Sequence, residues 1–154
     1  MKYIVWFLSL VISFAGFYVI EHLFTIPPDK VSGNGNLGLL MILIGSPFFI
    51  TSLVLTFNMI RTLFKNSTTK IIVCLGSIAI LCGIILTSFL FQNIHELVTA
   101  LGGTPTNPNS KIYRFGWFNQ YTNRMYFNNY SFLLTHILSI MAGLLACIRK
   151  PSDL

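Results

Sequence analysis

Apolar residues along this chain gather into four long blocks separated by two short polar stretches and one long one. The blocks run from Tyr3 to about Ile20, Leu37 to Ile60, Ile71 to about Phe91 and about Tyr130 to Ile148, and none contains a charged residue. A hydrocarbon core about 30 Å thick takes about 20 helical residues to cross. Backbone groups inside lipid must satisfy one another, so each block predicts a helix. The expected fold is all-α: a single membrane domain over residues 1–154, an integral membrane four-helix bundle. A long extracytoplasmic loop, residues 92–129, lies between helices 3 and 4, its first stretch, Gln92 to Leu101, extending the third helix into the headgroup zone. The first block is longer than the core of a cleaved secretory signal, and no small-x-small cleavage pattern follows before Glu21. It reads as a retained anchor.

Each block carries a line of small residues at helical spacing. These are Ser9, Ser13 and Gly16 on the first, then Gly38, Gly45 and Ser52 on the second. The third has Gly76, Ala79 and Gly83, and the fourth has Ser139, Gly143 and Cys147, with Ala142 and Ala146 alongside. Helices in lipid associate through close backbone approach and polar contacts, so four such lines predict four packing seams. Gly45-Ser46-Pro47 falls mid-block, where a proline removes one backbone donor and predicts a kink.

Composition supports lipid as the main solvent. Hydrophobic residues make up 54% and charged ones 9%, against about 25% charged in ordinary soluble domains. The net charge of +6 would suggest nucleic acid in a soluble protein. Here the charges sit between apolar blocks, so the bilayer is the expected partner and nucleic acid is not. Lys2, Arg61, Lys65, Lys70, Arg149 and Lys150 fall on one side of four crossings; Lys30, Lys111, Arg114 and Arg124 fall on the other. The positive-inside rule then places both termini in the cytoplasm of a multi-pass cell-membrane protein. Cys74, Cys82 and Cys147 all lie within apolar blocks and form no CxxC pair, so they read as small buried thiols.

Candidate chemistry lies toward the extracytoplasmic side. His22 follows Glu21, His95 precedes Glu96, and His136 lies inside the fourth block. Imidazoles ligate metals and titrate near neutral pH, so His22, His95 and His136 are the candidate metal or haem ligands. Their spacing matches no zinc motif. At 1.5 Å per residue, His95 and His136 differ by roughly 10–15 Å in depth, so no cofactor is assigned, and His136 reads as a hydrogen-bonded packing residue. The segment from Lys111 to Tyr130 is dense in aromatic and basic residues and has no acid. Part of that pattern fits an interfacial aromatic belt over anionic headgroups. Arg114, Trp117, Phe118, Tyr121 and Arg124 are the candidate contacts for another membrane protein or peptide, since rigid rings and Arg make favoured anchors. Short likenesses between Glu21–Thr25 and His95–Thr99 hint at a repeated hairpin, with the acid–histidine order inverted.

No phosphate-binding glycine loop, HExxH, GxSxG or paired intramembrane carboxylates occur. The expected function is therefore non-enzymatic: an accessory, regulatory or immunity-type protein that binds or regulates another membrane component. A histidine-dependent metal or haem redox protein and a channel or transporter subunit are the alternatives.

Overall fold

A computed structural model describes residues 2–31 and 35–148. Gly33 and Asn34 of the first turn, and the basic pair Arg149 and Lys150, lie outside the described residues. The described chain is all-helical: α1 Lys2–His22, α2 Leu37–Phe64, α3 Thr69–Ala100, α4 Asn123–Tyr126 and α5 Asn129–Leu145. Three of these, α1, α2 and α3, are long and apolar enough to cross a membrane. The 17-residue α5 is as apolar but shorter, about 26 Å at 1.5 Å per residue.

The long loop is shorter than residues 92–129, as the expected helical extension over Gln92–Leu101 implies. α3 continues past Phe91 to Ala100, because nothing in Gln92–Ala100 breaks a helix and Gln92 Nε2 donates to Glu96 Oε1 one turn on, at 3.0 Å. Gly102 and Gly103 then stop it. Both have positive φ, 81° and 119°, and their amides close back on the carbonyls of Thr99 and Val98. That pair of bonds satisfies two orphan carbonyls of the last turn and needs a residue free to adopt left-handed backbone.

The long helices alternate in direction. Trp6 Nε1 donates to Thr56 Oγ1 at 3.0 Å and Ser13 Oγ to the Phe48 carbonyl at 3.0 Å, tying α1 antiparallel to α2. Ser139 Oγ donates to the Leu53 carbonyl at 2.7 Å and the Cys147 thiol lies 3.5 Å from the Arg61 carbonyl, setting α5 parallel to α2. Ile72 packs with Leu144 and Cys147, which runs α3 antiparallel to α5. The spatial order is α1, α2, α5, α3, an open row rather than a closed square, with α3 leaning along α5.

Three of the four small-residue lines are buried seams: Ser9, Ser13 and Gly16; Gly38, Gly45 and Ser52; Gly143 and Cys147. A methyl on Gly143 would lie 2.9 Å from Ile60 Cβ and 3.0 Å from the Phe57 carbonyl oxygen, so α5 meets α2 there at backbone distance. The third line is different. A methyl on Gly76 would meet nothing within 4 Å, and one on Gly83 only Ile137 at 3.9 Å. These glycines border a groove between α3 and α5, and only 6% of the apolar window of α3 is buried. Within that line Ala79 is buried while Gly76 and Gly83 are half-buried; Ala142 and Ala146, beside the fourth line, are exposed. Helical spacing fixes which face a residue occupies, not whether a neighbour covers that face.

Pro47 lies inside α2, which runs unbroken from Leu37 to Phe64. The carbonyl that Pro47 leaves without a backbone donor belongs to Leu43, and the Ser46 hydroxyl donates to it at 3.0 Å. A neighbouring side chain thus replaces the missing bond. Above this point Phe17 gathers Phe49, Phe127 and Phe132 around it, with ring centroids 4.9, 5.2 and 5.4 Å away.

Candidate functional site

The segment from Leu101 to Asn128 folds into a cap over the ends of α1, α2 and α3. Its core is Leu97, Leu101, Ile112 and Tyr121, with Ile26 and Met125 against it. Tyr121, expected as a partner contact, is only 5% exposed; its hydroxyl donates to the Lys30 carbonyl at 3.4 Å. It holds the cap to the α1–α2 connection. An aromatic ring beside buried leucine and isoleucine gains more by completing that core than by facing outward.

Asparagines and one carboxylate fasten the cap. Asn123 Nδ2 donates to Asn36 Oδ1 at 2.7 Å and approaches the Phe24 carbonyl at 3.3 Å. Gly38 makes this possible, because a methyl there would overlap the Asn123 amide. Asn36 is also the N-cap of α2, accepting from the Leu39 amide at 3.0 Å. Asn128 caps α5 in a reciprocal box with Ser131. Glu21 Oε2 accepts from the Asn129 amide at 3.1 Å, placing a carboxylate at the positive end of α5. Sequence reading missed Asn36, Asn123 and Asn128. The one available signal was Asn128 followed three residues later by Ser131.

The outward face of the cap is aromatic and basic. Phe118 is 83% exposed and Phe115 63%; Trp117 is exposed beside them. The Phe118 ring stacks on Tyr126 at 4.8 Å. Partial burial raises the Tyr126 phenol above its ordinary pKa. The Arg114 guanidinium lies 5.0 Å from the centre of the Tyr113 ring, and its backbone sits at φ 64°, the only non-glycine in the left-handed region among the described residues. Arg124 points inward by comparison: it is half-buried, and its Nε has no hydrogen-bond partner.

The three histidines do not converge. His22 is exposed at the end of α1, its ring 4.4 Å from that of Tyr18 and its Nε2 3.9 Å from Glu21. His95 is exposed on α3, and His136 is buried within α5. Among the described residues, no three His, Cys, Asp or Glu side chains group within reach of one ion.

His136 has a more specific arrangement. Its Nε2 lies 3.1 Å from Ser52 Oγ and its Nδ1 2.8 Å from the Phe132 carbonyl. A carbonyl only accepts, so the Nδ1 proton points at Phe132, and in the neutral ring Nε2 is left as an acceptor facing a serine hydroxyl that also donates to the Phe49 carbonyl at 2.8 Å. Base, nucleophile and orienting group stand at the separations of a nucleophilic dyad. Ser52, however, is 0% exposed, so no substrate reaches its oxygen. The pair bonds α2 to α5.

No family model, curated protein or solved structure matches the chain. Its function is argued from this geometry alone.

Proposed function

We propose that the chain is a four-span membrane protein, with α1, α2, α3 and α5 crossing in turn and both termini cytoplasmic, whose extracytoplasmic cap docks another membrane protein or peptide. The membrane part is supported by three long apolar helices and by outward apolar side chains such as Phe7, Val11, Leu43, Ile50 and Ile84. It is also supported by the charge pattern. Lys2, Arg61, Lys65 and Lys70 stand at one end with no acid among the described residues, whereas Glu21, Asp29 and Glu96 all lie toward the other. The cap end is the extracytoplasmic one on this reading.

One observation carries the docking part. The cap has a buried core of its own, yet it leaves Phe115 and Phe118 as the most exposed rings on its surface. Rings presented from a folded platform lose little entropy on contact and anchor interfaces well. Arg114 adds weight: its left-handed backbone costs on the order of 1–2 kcal/mol that glycine would avoid, so its side chain has a use that offsets the strain. The redox alternative needs histidines that meet, and these do not. No specific observation favours a channel.

Cross-linking in native membranes tests the reading. A photoreactive residue at position 118 should capture a discrete neighbour, and Phe115→Ala with Phe118→Ala should abolish that capture at unchanged protein level. Arg114→Gly should leave the fold as stable or slightly more so while weakening capture. Unaltered neighbours in the double variant would remove the cap from the interface.

A further inference from the structure

At the end opposite the cap, the last two turns of α2 and the residues just past α5 enclose a concave pocket of about 460 Å³. Asn58, Arg61, Thr62 and Lys65 line it from α2, and Ala146 and Cys147 line it from the stretch that leaves α5. The four α2 residues follow the i, i+3, i+4, i+7 pattern of one helix stripe, so both cations face the same hollow. The Cys147 thiol donates to the Arg61 carbonyl at 3.5 Å and fixes the seam beneath it. Neither Arg61 nor Lys65 has an acidic partner among the described residues.

We propose that this pocket binds the phosphate of an anionic membrane phospholipid. Arg61 presents a planar fork that matches two phosphate oxygens, and Lys65 adds a second full positive charge one turn on. Two helix C-termini also end here, each carrying about half a negative charge that disfavours an anion. The two side-chain cations outweigh them, and Lys2 and Lys70 at the starts of α1 and α3 add further positive charge at the same end. Leu145 and Ile148, the sequence neighbours of Ala146 and Cys147, are exposed at the same depth and line the groove on the α3 side of α5, an apolar path for an acyl chain. A lipid suits the site better than a free ion because basic and apolar surfaces adjoin at one depth. The proposal rests on the membrane reading of the helices and is independent of what the cap docks.

Native mass spectrometry and thermal melting of the full chain in a non-ionic detergent test it, with phosphatidylglycerol, phosphatidylcholine or inorganic phosphate added. Phosphatidylglycerol should be retained as a bound adduct and should raise the melting temperature; the other two should do neither. Arg61→Ala with Lys65→Ala should weaken retention roughly 25-fold, from about fivefold per surface cation, and Arg114→Ala at the cap should not. Both α2 side chains are exposed, so the double variant keeps its fold and its unliganded melting temperature checks this. Equal retention of phosphatidylcholine, or undiminished phosphatidylglycerol in the double variant, overturns the proposal. A shift with inorganic phosphate alone overturns the lipid source and leaves a soluble-anion site. Protein that stays dispersed without detergent defeats the membrane reading itself, before any lipid is added.

Discussion

Gly143 and Gly76 show how far the same residue can differ in consequence. Both lie in lines of small residues with helical spacing, yet one faces Ile60 and the Phe57 carbonyl at contact distance and the other faces open space. Gly143→Ala should lower stability by about 1–3 kcal/mol, because two helix backbones must separate to admit the methyl. Gly76→Ala should stabilise by up to about 1 kcal/mol, through the backbone freedom that glycine loses on folding. Steric-trap or chemical denaturation in detergent would read the pair; similar losses at both sites would mean that α3 is packed as tightly as α5. Periodicity in the sequence exposed the seams of α1, α2 and α5, since those faces do meet neighbours. On α3 it was right for the buried Ala79 but not for Gly76 and Gly83, because periodicity carries no record of what stands opposite. His136 was readable as a hydrogen-bonded packing residue from its place inside an apolar block. Its partner Ser52 was not, because pairing across 84 residues leaves no local trace.

Among the elements, the cap was the least legible from sequence. Residues 101–128 have neither helical nor strand periodicity, and their order comes from side-chain amides that bond far along the chain. Asn123 reaches Asn36 and Phe24, and the Ile26 amide donates to the Gln120 carbonyl at 2.9 Å. Aromatic abundance did signal a folded segment, but it could not separate Tyr121, which is core, from Phe118, which is surface. Asn123→Ala should cost about 1–3 kcal/mol, since it leaves Asn36 and the Phe24 carbonyl without their partner. The loss should be local. Protease added to the cap side should cut between Leu101 and Asn128 much faster in this variant than in the parent, while the melting of the helices changes little. Phe118→Ala, which removes no fastening contact, should leave the cutting rate unchanged. Equal protection of all three proteins would show that the cap is held by its apolar core and not by the asparagine clasp.

At the level of the whole molecule, topology depends on α5. Its 17 residues sit at the lower end of the roughly 17–25 that span a hydrocarbon core, and it is fixed in depth by α2 through Ser139 and His136. Those bonds align it parallel to a 28-residue helix, so on the proposed four-span reading α5 runs through the apolar layer beside α2. The bilayer meets the shorter helix by thinning locally, or the flanking residues reach outward. Ala146, Cys147 and Ile148 prolong the apolar stretch beyond the last helical turn. The proposed topology has an even number of crossings, so reporters fused at the two termini should both be active in the cytoplasm. A reporter inserted after Asn107, in the exposed cap turn, should be active on the opposite side. Opposite answers from the two termini would mean that α5 enters without crossing. Its hydrogen bonds to α2 would then have to break or shift, and Ser52→Ala, which removes one of them, would have no effect on stability.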